Sequence, residues 1–158
     1  MVDGQIVSGG MAHRRDYTYG RFEFRVRTEP DPTATMSAVV LTWPQSGAWP
    51  LDGENDIYET AAAVGTALPF STFVHYGPTN EQHSYNHDAD ASQWHTMVMD
   101  WTPAAIKVYR DGLLVWTLTD PDAIPRVAHQ LCIQLDPTAG RKLAGPVRMF
   151  VDYVRIYR

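Results

Sequence analysis

The chain has 158 residues, a length that suits a single domain spanning 1–158. Apolar residues make up 44% and aromatics 11%, enough for a sizeable core, and no apolar run approaches the ~20 residues of a membrane helix. The net charge of −5, without a long run of either sign, argues against nucleic acid or an anionic membrane surface as a partner.

Met1-Val2-Asp3-Gly4-Gln5 does not read as a secretory leader. Arg21 to Arg27 sets Phe22, Phe24 and Val26 on one face and charges on the other, the alternation of a half-buried antiparallel strand. Glu54 to Glu59 reads as a strand entered from an Asp52-Gly53 turn, and Ala61 to Ala67 as strand end and loop. Phe70 to Tyr76 and Trp94 to Trp101 are β-rich. The stretch from Thr79 to Ser92, with His83, His87 and Asp88, reads as a polar loop whose spacing is unconvincing for zinc. Ile106 to Arg110 and Leu113 to Leu118 flank Asp111-Gly112, a dipeptide suited to a tight hairpin turn. Leu131-Cys132-Ile133 reads as core with a small buried thiol, and the lone cysteine permits no internal disulfide. Val151 to Tyr157 closes the chain as another strand. Many short strands with turns between them predict an all-β sandwich or barrel.

Chemistry concentrates on Glu54-Asn55-Asp56-Ile57-Tyr58-Glu59. Side chains of a strand alternate, so Glu54 and Asp56 share a face while Glu59 falls on the other. One extra residue, a β-bulge, returns Glu59 to their side. Like charges so placed destabilise a sheet, and crowding raises the pKa of at least one of them. A proton held near neutral pH beside an ionised carboxylate is what glycoside hydrolysis needs, with ~5–5.5 Å between the working groups for a retaining reaction. A solvated acidic face and a calcium site are the alternatives that spacing leaves open.

This strand resembles the E-x-D-x-x-E motif of glycoside hydrolase family 16, matched by Glu54, Asp56 and Glu59. Further blocks follow in order. Tyr19 to Arg25 resembles Y-G-x-F-E-x-R, and Trp49-Pro50 before Asp52-Gly53-Glu54 resembles W-P-x-x-G-E. Trp94-His95, Asp100 to Pro103 and Tyr109 to Gly112 resemble W-H-x…-E-W-T-P…-Y-x-D-G, and Pro146 to Tyr157 resembles the closing strand.

The resemblance implies a β-jelly roll of two antiparallel sheets (concanavalin A-like) with a cleft, here lacking some N-terminal strands. It implies a retaining, endo-acting hydrolase of β-linked polysaccharide, with Glu54 as nucleophile, Glu59 as general acid/base and Asp56 between them. The extra residue looks like the laminarinase, agarase and carrageenase branches, which makes β-1,3-glucan the first expectation for substrate and galactans the next. The same residues give transglycosylation if a sugar replaces water. A non-catalytic glycan-binding module on the same sandwich is the rival from another class.

Trp49, Trp101, His75 and Gln134 are the expected substrate-binding residues, and Trp94 and Trp116 are expected in the core. The mechanism requires no metal or organic cofactor, with a structural calcium at Asp152 as the one ion the resemblance allows. The expected partner is a polysaccharide, the expected location extracellular, and strand exchange between copies is a route to an oligomer. The strand that in the family reads W-P-A-F-W-L is here Met36 to Leu41, in which Val40 offers no aromatic sugar platform. Asn55 replaces an aliphatic residue, predicting a less dry far face.

Overall fold

A computed structural model describes residues 5–61, 67–138 and 142–158. Among these, eleven strands form and no helix. In chain order they are β1 (Gly10–Tyr17), β2 (Gly20–Thr28), β3 (Met36–Pro44), β4 (Glu54–Thr60), β5 (Phe70–Tyr76) and β6 (Glu81–Asn86). Then follow β7 (His95–Trp101), β8 (Ile106–Arg110), β9 (Leu113–Leu118), β10 (His129–Pro137) and β11 (Met149–Tyr157). One sheet runs β1-β10-β3-β4-β5-β6 and the other β11-β2-β7-β8-β9, with every neighbouring pair antiparallel.

Alternation decides what lies between the sheets. Phe22, Phe24 and Val26 of β2 and Met97, Met99 and Trp101 of β7 face inward as one layer. Val40 of β3, Tyr58 of β4 and Phe70 and Val74 of β5 face them from the other sheet. Tyr58 also ties the layers together through a 2.9 Å hydrogen bond between its hydroxyl and Thr28 Oγ1. The Asp111-Gly112 turn has φ of 53° and 83°, the two positive angles that a type I′ hairpin needs, as the dipeptide predicted.

Several expectations are corrected by the same alternation. Trp101 is not ligand-facing: it shares parity with Met97 and Met99, is 1% exposed, and its indole N–H donates to the Pro125 carbonyl at 3.1 Å. Trp94 is not core. It lies exposed on the outer side of the five-stranded sheet beneath the Arg25 guanidinium, 4.6 Å from the ring centre. Trp116, by contrast, does pack against the core as expected, half-buried beside Tyr85. Cys132 is half-buried, and its side chain alternates with inward-facing Leu131, placing it on the outer side of β10. Val40 points into the core, leaving Val39 and Leu41 as the outward residues of β3.

The presumed loop from Thr79 to Ser92 contains β6, a polar edge strand exposed along much of its length. Within the Ala61 to Ala67 segment, residues 62–66 lie outside the described residues. Between edge strand β1 with its neighbour β10 and edge strand β11 of the other sheet lies a groove of about 630 Å³ lined by Met11, Ile133, Leu135, Met149, Val151 and Val154.

Candidate active site

The β4 strand enters the sheet through Asp52-Gly53. Gly53 has φ of 81°, and a Cβ there would sit 2.8 Å from Pro125 Cγ, so both the backbone and the packing call for glycine. The bulge follows. On β3, Leu41 pairs with Asp56 and the next residue back, Val40, pairs with Tyr58. On β5, Phe73 pairs with Asp56 while Ser71, two residues away, pairs with Glu59, three residues away. Both neighbours therefore place one extra residue on β4. Ile57 and Tyr58 turn inward in succession, each fully buried, and Glu59 emerges on the side of Glu54 and Asp56.

The three acids line a cleft of about 390 Å³ on the outer side of the six-stranded sheet. Val39 and Leu41 of β3, Phe73 and His75 of β5, Gln82 of β6, and Gln134 and Asp136 of β10 complete its lining. Trp49 stands beside it, 41% exposed, and its indole N–H donates to Glu54 Oε2 at 2.7 Å. Its ring stacks on Trp43 with centroids 6.3 Å apart. Opposite Glu54 in register is His75, whose Nε2 lies 3.1 Å from Asp56 Oδ2. The Ser37 hydroxyl is 3.4 Å from Glu59 Oε1, and the Gln134 amide donates to Asp136 Oδ2 at 2.6 Å.

Burial and then the neighbouring Asp56 charge push Glu54 up to about 8. The same two causes, in the same order, push Glu59 up to about 7. Burial raises Asp56 as well, against the opposing pull of His75, and Asp56 is hydrogen-bonded to Glu54. Two carboxyl groups joined in this way share a proton. For His75, burial disfavours the charged ring, but Asp56 and Asn80 outweigh it and lift the imidazole to about 9. One side-chain atom from each of Glu54, Asp56 and His75 lies within 4.8 Å of the others.

Of the residues expected at the site, Glu54, Asp56, Glu59, His75, Trp49 and Gln134 meet at the cleft, and Trp101 lies on the far side of the core. Asp152 is exposed on β11, where its carboxylate accepts from Arg25 at 3.0 Å. His83 faces Asp120 at 2.9 Å, whereas His87 is buried against Phe70, so the two do not converge on one ion. Asn55 does make the far face polar. Its amide donates to Thr42 Oγ1 at 2.8 Å, Thr42 contacts buried His129 at 3.1 Å, and Asn55 Oδ1 is left without a partner. Sequence reasoning missed Trp43, Phe73, Asn80, Gln82 and Asp136. Parity with Leu41 and Gln134 would have found Trp43 and Asp136, but only the hairpin geometry brings Asn80 and Gln82 in.

Two antiparallel sheets face to face, with a bulged acidic strand open to a cleft, define a jelly-roll sandwich. The chain belongs to glycosyl hydrolases family 16, whose family model matches residues 2–154. It is similar to a β-glucanase of Rhodothermus marinus, 27% identical over 182 aligned positions that cover 99% of this chain and 62% of the relative. A β-1,3-glucan-binding protein of Penaeus monodon is 29% identical over 66% of this chain and 32% of its own length. The chain thus spans less than two thirds of these curated relatives. Among solved structures, a Bacteroides ovatus family 16 protein of a mixed-linkage glucan locus, in complex with the product G4G4G3G, shares the fold. Its TM-score is 0.76 at 20% identity, over 93% of this chain and 73% of that one.

Proposed function

We propose that this chain is an endo-acting hydrolase of a β-linked glucan that works by double displacement with retention of configuration. The observation that carries the reading is the bulge, which gathers Glu54, Asp56 and Glu59 in one cleft and holds a proton on Glu59 near neutrality. Glu54, oriented by the Trp49 indole and sharing a proton with Asp56, attacks the anomeric carbon. Glu59 gives its proton to the departing glycosidic oxygen. It then removes a proton from the water that hydrolyses the glycosyl ester, which restores both groups. No step calls on a metal. β-1,3-Glucan is the first substrate to try: one similar protein is a β-1,3-glucan-binding protein and another a β-glucanase. An extracellular polysaccharide substrate fits a protein that acts outside the cell.

Reducing-sugar release from laminarin, mixed-linkage glucan and agarose tests this, with Glu54→Gln and Glu59→Gln as controls. Release from a glucan that both substitutions abolish supports it. The similarity to a glucan-binding protein favours a second reading, a non-catalytic binding module. Glucan binding without release, unchanged by Glu54→Gln, would establish that reading and overturn hydrolysis.

A further inference from the structure

Asn80 ends the turn between β5 and β6 with φ of 60°, a left-handed conformation for which glycine is the default residue. Asparagine tolerates that backbone and adds something glycine lacks, a side-chain carbonyl. That oxygen lies 2.8 Å from His75 Nδ1. The other ring nitrogen, Nε2, faces Asp56 Oδ2 at 3.1 Å. We propose that Asn80 is a positioning residue: by accepting the Nδ1–H of His75, it keeps Nε2 turned on Asp56, in line to exchange a proton with that carboxylate.

The surroundings leave Asn80 alone in this part. His75 is faced by Asp56 and Glu54 from β4, the Trp49 ring from the preceding loop, Phe73 from its own strand, and Asn80 and Gln82 from the β5–β6 hairpin. Gln82 Nε2 is 3.0 Å from Nδ1 and 3.3 Å from Nε2, nearly equidistant. An atom so placed lies over the ring face, because in the ring plane it would collide with the carbon between the nitrogens. It therefore does not compete for the in-plane hydrogen bonds.

A neutral histidine left to itself favours hydrogen on Nε2, which would aim an N–H at Asp56 and leave Nδ1 bare. The partner of one nitrogen decides the state of the other. With Nδ1–H fixed on Asn80, Nε2 passes its proton to Asp56 Oδ2 and takes it back without the ring turning. The Glu54–Asp56 pair then adjusts its charge as Glu54 passes from carboxylate to ester and back. The catalytic consequence rests on the hydrolase reading above; the state of the ring does not.

The test compares the full chain with Asn80→Gly, which keeps the backbone conformation and removes the carbonyl, and Asn80→Asp, which restores an acceptor. Long-range 15N–1H spectra of histidine-labelled protein, recorded across the pH range with His75 assigned by His75→Gln, report which nitrogen is protonated. In the unsubstituted chain, Nε2 is expected to lose its proton on raising the pH while Nδ1 keeps its own. In Asn80→Gly the neutral ring is expected to shift to Nε2–H, and Asn80→Asp should reverse that. On laminarin, kcat of Asn80→Gly should fall about 10-fold with KM little changed and the pH profile displaced, and Asn80→Asp should recover much of it. Unchanged nitrogen shifts in a glycine variant that melts like the unsubstituted chain would overturn the proposal. Failure of the unsubstituted chain to release sugar would overturn the hydrolase reading, while the spectra still decide the role of Asn80.

Discussion

Among the acids of the cleft, Glu59 is the one whose proton sits nearest neutral pH while its hydrogen bonding is weakest, a single 3.4 Å contact from Ser37. A general acid must be protonated to work, so activity should fall as pH rises through about 7, where Glu59 ionises. A pH–rate profile of glucan hydrolysis checks the position of this limb. Glu59→Gln should lower kcat about 10²–10⁴-fold on an ordinary glucan and much less on a substrate whose leaving group needs no proton. A uniform loss on both substrates would remove Glu59 from the role of acid. Trp49 presents the opposite case. Its indole N–H feeds Glu54 while its ring stays exposed for a sugar, so Trp49→Phe should affect both kcat and KM.

At the scale of the strand, the sequence made the acidic motif legible because its arithmetic is odd. Glutamate, aspartate and glutamate at 54, 56 and 59 cannot share a face of a regular strand, and a bulge is the economical repair. The register on both sides of β4 confirms the repair and shows its cost in the core, where Ile57 and Tyr58 must both be accommodated inward. Strong alternation likewise exposed β2, and the Asp111-Gly112 turn exposed the β8–β9 hairpin. Edge strands were harder. Along β1 and β6 much of the surface is open to solvent, so no buried face imposes an apolar repeat; β6 reads as loop and β1 gives no strand signal at all. Trp101 was misplaced for a different reason: family position outweighed the parity it shares with Met97 and Met99.

The buried Asn55 supplies a prediction at this scale. Its amide makes one hydrogen bond, to Thr42, and its carbonyl oxygen makes none. Replacing it by valine loses the bond but removes an unsatisfied buried polar atom and adds a better strand former. Asn55→Val should therefore change stability by no more than about 1 kcal/mol in either direction, measured by denaturant unfolding. A loss of several kcal/mol would mean that the Asn55–Thr42–His129 chain holds the strand more firmly than its geometry implies.

Across the whole molecule, the cleft trades stability for charge. Folding raises Glu54 from 4.5 to about 8, Glu59 from 4.5 to about 7 and His75 from 6.5 to about 9, so the folded chain binds more protons than the unfolded one. For each group the contribution is fully present below its unfolded value and is lost as pH rises through its folded value. His87 works in the other direction. Burial and then Arg110 lower it from 6.5 to about 4, so its contribution is present above 6.5 and lost as pH falls through 4. The melting temperature should therefore decline between pH 6.5 and 9, a range in which His87 is already neutral in both states. Glu54→Gln should flatten that decline, gaining on the parent at pH 8 and matching it at pH 4. At this size about 1 kcal/mol moves Tm by about 2–4 °C, within reach of calorimetry.

The outward placement of Cys132 gives the molecule a chemical reporter. The thiol is half-buried on β10, two residues from cleft-lining Gln134, and burial together with the Glu54 charge raises its pKa. Alkylation by iodoacetamide should accordingly be slow at neutral pH and quicken in alkaline solution, because the thiolate is the nucleophile. It should also quicken in Glu54→Gln, where the nearby anion is gone, and slow when an oligosaccharide occupies the cleft. One cysteine, one adduct and a mass spectrometer would then follow occupancy in a variant that turns over nothing.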